Sequence, residues 1–252
     1  MKGEILYTTT DYFRPFPNLH DVFADHVEEH AEYLLPAGTL SLSHISSEWS
    51  GEIHFLLPIE PVPGFGVPFE KSIPYHNYLC RPNWFGYHLR ENKAQLAADF
   101  RIFHKAFYAE NLPDDRIAKM EFDELPQHYA ETREQFKKCA AHFRTHGWLC
   151  NLPDRWNPTD KKDFYHRYSL VNNLGGVSHD GNWSNMLNFP LSRYPNVGDN
   201  EGDCCLPQTE DGRDFAYIGE IEMWNYIGDT NGILLLFYDP VQQIALSTID
   251  WT

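Results

Sequence analysis

The C-terminal stretch FAYIGEIEMWNYIGDTNGILLLFYDPVQQIALSTIDW constrains the fold more than any other part of the chain. Residues 215 to 224 alternate with a period of two, which is the signature of a strand. That alternation sets Phe215, Tyr217, Ile221 and Met223 on one face and Ile218, Glu220, Glu222 and Trp224 on the other. Gly228-Asp229-Thr230-Asn231-Gly232 follows, and its Asn-Gly pair supplies the positive φ of a tight reversal. Ile233 to Tyr238 is apolar on both faces, so it belongs in the buried middle of a sheet; Ile244 to Trp251 alternates again after Pro240. Three successive strands therefore close the chain.

Upstream, Asn18 is placed to cap a helix over Leu19 to Leu34, with Leu19, Val22, Phe23, Val27 and Leu34 on one face and Pro36-Ala37-Gly38 ending it. Thr39 to Ile45 and Gly51 to Leu57 read as a hairpin. From Pro58 to Pro82 the six prolines, with Gly64 and Gly66, forbid a helix or a central strand and predict a long ordered loop. Leu96, Phe100, Phe103 and Phe107 fall on one helical stripe, with Arg90, Lys93 and Arg101 outside, which predicts a helix over 89–109. A second helix is expected from Pro126, acceptable in a first turn, to Gly147, with Phe136, Cys139 and Phe143 inward. Residues 151–168 are polar and turn-rich, a boundary candidate.

Near the end of the chain, Trp224, Gly228-Asp229, Gly232 and the run Leu234-Leu235-Leu236-Phe237-Tyr238 stand in the order of a tryptophan, Gly-Asp, Gly and L-x-F pattern. Leu174-Gly175-Gly176, Trp183 and Asn188-Phe189-Pro190 precede them as a Gly-rich, Pro-containing segment. These residues resemble the YwqG-like proteins, a family of unknown function, over roughly 170–252, about a third of the chain. Glu220 stands where that family commonly has Gln. The resemblance implies an α+β fold and, through the association of such families with bacterial toxin loci, an immunity role.

With 252 residues and 42% hydrophobic content the chain can bury a large core without staples, as one domain (1–252) or two closely packed parts (1–150 and 151–252). Its charge is acidic and uneven. Twenty Lys and Arg face 36 Asp and Glu, a net −16. Basic and acidic residues number 2 and 10 in 1–60, 12 and 11 in 61–150, and 6 and 15 in 151–252. Such a field repels phosphate backbones and anionic membranes and steers cationic proteins inward. Met1 to Phe13 lacks the continuous apolar run of a signal peptide, which points to the cytoplasm. The five cysteines (Cys80, Cys139, Cys150, Cys204, Cys205) have no Cys-x-x-Cys spacing and read as reduced thiols.

His26-Val27-Glu28-Glu29-His30 matches the H-x-x-E-H spacing of inverted zinc peptidases, in which His26 and His30 would ligate the metal and Glu29 activate water. Packed imidazoles at a helix interface satisfy the same spacing, and His142 with His146 repeats it without the Glu. Glu220 and Glu222, near Asp214, read as an exposed acidic strand face flanked by Trp224 and Trp183. With the acidic loop Asp199, Glu201 and Asp203, that patch combines the aromatics and carboxylates of a hot spot for a cationic partner. No Gly-x-Ser-x-Gly elbow is present.

The expected fold is α+β, mostly antiparallel sheet, with a two-helix insertion in the middle and one N-terminal helix. The expected function is a non-enzymatic immunity protein without cofactor, neutralising a cationic toxin through Glu220, Glu222, Trp224, Trp183, Asp199, Glu201 and Asp203, with neither nucleic acid nor membrane as partner. One alternative is a zinc hydrolase using His26, Glu29 and His30. The other is a carbohydrate or small-ligand module using exposed aromatics with amides such as Asn182 and Asn185, which requires a concave aromatic pocket.

Overall fold

The apolar run at 233–238 forms the centre of the largest sheet. The computed structural model describes residues 3–149, 168–185, 189–195, 203–228 and 230–251. Its strands are β1 (Glu4–Leu6), β2 (Phe13–Pro15), β3 (Leu34–Ser41), β4 (Glu52–Pro58), β5 (Trp84–Arg90), β6 (Lys93–Leu96), β7 (Val171–Leu174), β8 (Leu191–Tyr194), β9 (Cys204–Pro207), β10 (Ala216–Glu222), β11 (Gly232–Asp239) and β12 (Ile244–Trp251). Its helices are α1 (Leu19–Val22), α2 (Val27–Tyr33), α3 (His104–Glu110), α4 (Arg116–His146), α5 (Asn182–Asn185) and α6 (Trp224–Ile227). The fold is α+β, as the sequence predicts.

Seven strands join in the order β1-β7-β10-β11-β12-β5-β6, every pair antiparallel, so β11 is the middle strand. β2, β3 and β4 make a second sheet, and β8 pairs with β9. Along β11, Leu234, Leu236 and Tyr238 enter a main core with Leu125, Tyr129 and Phe143 of α4. Leu235 and Phe237 alternate into a second core with Trp84, Trp183, Phe189, Phe215 and Tyr217. Both faces of the sheet are therefore covered, which is why this strand carries no polar alternation. Among the described residues no helix is long and apolar enough to cross a membrane.

The sheet departs from simple alternation at β10. Tyr217 pairs with Phe237 and Gly219 with Leu236, so Ile218 is the extra residue of a bulge. A Cβ on Gly219 would lie 2.7 Å from the Asn173 carbonyl oxygen, hence the glycine. The bulge moves Tyr217 to the face of Glu220 and returns Ile218, Ile221 and Met223 to the main core. The predicted strand also ends two residues early, because Met223 turns helical (φ −61°, ψ −35°) and starts α6.

The long N-terminal helix is two short ones: His26 adopts a left-handed conformation (φ 43°) between α1 and α2, and β3 starts at Leu34. Asn18 makes no side-chain cap and donates instead to Asp21 (3.1 Å). The first part of the helix predicted over 89–109, up to Leu96, is the β5–β6 hairpin, reversed at Glu91 and Asn92 with φ 52° and 68°. Pairing of β5 with β6 overrides the helical spacing there. Phe100, Phe103 and Phe107 still pack on the main core, from a 3-10 turn at Phe100–Ile102 and from α3. The second predicted helix starts ten residues before Pro126. The Asp115 carboxylate caps it by accepting from the Ile117 and Ala118 amides (2.9 Å each). Pro126 lies inside α4, between the buried Leu125 and Tyr129 whose packing offsets the lost backbone bond. Gly147 closes the helix in the left-handed conformation.

Candidate binding cleft

Three segments enclose a cleft of about 500 Å³. The first wall is the chain leaving β4. Its Ile59 amide donates to the Tyr33 carbonyl (3.0 Å), and its Ile59 carbonyl accepts from His128 Nε2 (2.7 Å), which ties it to α4. Next comes Glu60, 1% exposed, whose carboxylate accepts from the His104 and Lys105 amides (2.6 and 2.8 Å) and from Tyr129 Oη (2.6 Å). It caps α3 from outside and holds Pro61 and Pro63 at the cleft.

The second wall is the outer side of α4, with Glu131, Glu134, Gln135 and Lys138 one turn or less apart. Glu131 and Glu134 are exposed; Glu131 accepts from Gln127 Nε2 (2.8 Å). The third wall is the β10–β11 connection, with Trp224 of α6 and Thr230, closed by Trp251 at the end of β12. Trp251 is fixed by its Nε1, which donates to Asn83 Oδ1 (2.8 Å). Trp224 and Thr230 also border two adjoining depressions of about 410 and 300 Å³, the latter reaching Glu222. Among the described residues, Glu131, Glu134 and Lys138 thus share the cleft with Trp224, and Glu222 shares the adjoining depression.

Of the predicted partner residues, Trp224 and Glu222 meet here. Glu222 receives the Asn172 amide (Nδ2 to Oε2, 3.4 Å). Glu220 does not join them at the surface: it is half-buried and accepts from Tyr217 Oη (2.9 Å), which itself accepts from Asn173 Nδ2 (3.2 Å). Burial raises its carboxyl pKa, opposed by the Tyr217 bond and the nearby His179. Trp183 corrects the expectation outright. It is 1% exposed in the second core, edge-on to Trp84 (5.8 Å), with Nε1 donating to the His179 carbonyl (3.1 Å) and its amide to Asp250 (3.0 Å). Asp214 is engaged by Ser192 and Tyr194. Asp203 lies at β9, where its carbonyl accepts from the Asp180 amide (3.0 Å); Asp199 and Glu201 lie outside the described residues.

The H-x-x-E-H spacing does not converge. His26 is exposed at the N-terminus of α2, 3.4 Å from Glu29. His30 is buried with both nitrogens committed: Nδ1 donates to the His26 carbonyl (3.1 Å) and Nε2 accepts from the Leu96 amide (3.0 Å). Burial also lowers its pKa, which keeps it neutral. The ring pins α2 to β6, and its one lone pair, on Nε2, is taken by the Leu96 amide. Sequence reasoning missed Glu131, Glu134 and Trp251. Its predicted helix contained both glutamates, whose i,i+3 spacing puts them on one side, but nothing local marked the wall opposite. No protein-family model matches the chain, and neither a curated protein nor a solved structure does.

Proposed function

We propose that the protein is a non-enzymatic binding protein that seats a basic segment of a cationic protein in this cleft, as an immunity protein does with a toxin. The observation that carries the reading is that Glu131, Glu134 and Trp224 line one cleft, with Glu222 in the depression beside it. A tryptophan surrounded by carboxylates is the chemistry of a hot spot for Lys or Arg. The net charge of −16 adds long-range steering, and the likeness of 170–252 to YwqG-like sequences agrees with it. Two titratable groups beside the cleft are committed to the fold: Glu60 to three donors, His128 Nε2 to the Ile59 carbonyl.

The test is capture on immobilised protein from its host's lysate at low salt, followed by a salt gradient. The expected result is one stoichiometric basic protein released by salt and lost with Glu131→Lys/Glu134→Lys; retention of the same protein by that variant would remove the cleft from the reading. The concavity, with Trp224 and Trp251, favours a second reading in which a small ligand occupies the cleft. Such a ligand would protect Trp224 with little dependence on salt.

A further inference from the structure

The last turn of α4 carries two imidazoles that the cleft does not use. His142 and His146 stand one turn apart with ring centroids separated by 4.4 Å and planes inclined by 38°. Trp148, just past the Gly147 cap, sets its ring 4.5 Å from His142 at 80°. His142 Nε2 is enclosed and has no hydrogen-bond partner among the described residues. The contrast with His26 and His30 is instructive: the spacing is the same, but there the backbone takes both nitrogens of the buried ring.

We propose that His142 and His146 form a two-imidazole site for a divalent transition-metal ion, with water completing the coordination. Two nitrogens about 2.0–2.1 Å from a tetrahedral metal lie roughly 3.3 Å apart. Rings whose centroids are 4.4 Å apart reach that separation by rotation of the exposed His146. Two histidines at i and i+4 share a helix face, and imidazole suits Zn, Cu and Ni. Among the described residues no third His, Cys, Asp or Glu completes a larger cluster. Among the described residues the site thus has two protein ligands, where a closed structural zinc site has four. A simple stack of the two rings on Trp148 would have no response to metal.

The test titrates the full-length protein with Cu²⁺ while following tryptophan emission, since Trp148 lies beside the site. Quenching that saturates at about one equivalent and weakens at least tenfold in His142→Asn and in His146→Gln is the expected result. Trp148→Phe should keep the bound copper, measured by equilibrium dialysis, and lose most of the quenching. His146 is exposed, so its variant carries the test even if His142→Asn perturbs folding. Copper uptake and quenching unchanged in a folded His146→Gln protein would overturn the proposal.

Discussion

Carboxylates less than four turns apart on α4 do opposite things. Glu121 is fully buried and accepts from His104 Nδ1 (2.7 Å) and Tyr108 Oη (3.0 Å), while the other nitrogen of His104 accepts from the Lys71 amide (3.1 Å). Glu60 joins this network through the His104 amide and Tyr129. Ten residues along the helix, Glu131 and Glu134 face the cleft, and among the described residues Gln127 is the one side chain hydrogen-bonded to either. The net charge of the chain therefore sums acids consumed by folding and acids left available for a partner. Their environments, rather than their number, separate them: an acid whose oxygens are saturated in the interior has no capacity left for recognition.

The sharpest way to break this contrast is to truncate one acid of each group. Glu121→Ala strips two buried donors of their partner and should cost about 3–5 kcal/mol in urea unfolding. Glu131→Lys/Glu134→Lys should stay within about 0.5 kcal/mol of the wild type per site in the same assay. A comparable loss in both would erase the distinction. Next in size is a pH effect on the interior side. Burial holds His54 at about 4, below its ordinary value, while it bonds Thr39 (2.9 Å) and the Asn92 carbonyl (2.8 Å). A group depressed on folding stabilises the protein above its unfolded pKa of about 6.5 and loses that contribution as pH falls toward 4. Between pH 7 and 5 the wild type should lose on the order of 2 kcal/mol more than His54→Gln does.

On the cleft side, Trp224→Ala should weaken partner binding by about 2 kcal/mol, a thirtyfold change in Kd, measured by calorimetric titration. Reversal of Glu131 and Glu134 should weaken it roughly tenfold and flatten its salt dependence, with most of the change in the association rate. The smallest effect belongs to His26→Ala. It should alter stability by less than about 0.5 kcal/mol and leave zinc content unchanged, since His26 is exposed and His30 is bonded elsewhere. A loss of bound zinc in that variant would revive the metal reading of the N-terminal segment.

What the sequence revealed follows the range of the interactions involved. Ile233 to Tyr238 announced itself as a central strand because burial on both faces leaves a continuous apolar run. The β3–β4 hairpin and the end of α4 at Gly147 were equally local signals. The β5–β6 hairpin was hidden because its reversal uses Glu91-Asn92, without the glycine that usually marks positive φ, and because Leu96 and Phe100 mimic a helical stripe. The bulge at Ile218 shifted the parity on which the faces of Glu220 and Tyr217 were assigned. The site suffered most from this. Trp224 and Glu222 were recognisable, but Trp183 looked available until a second core was seen to cover it, and the pairing of Trp251 with α4 across the cleft spans more than a hundred residues.

The central claim is that the acids of the cleft, not the total charge, select a cationic partner. The most direct measurement loads wild type and Glu131→Lys/Glu134→Lys equally on two supports, exposes both to the same host lysate at low salt, and compares what salt releases. The account predicts one basic protein, stoichiometric on the wild type and depleted at least tenfold on a variant whose urea midpoint is unchanged. Equal capture by both supports, or no basic protein on either, would contradict it.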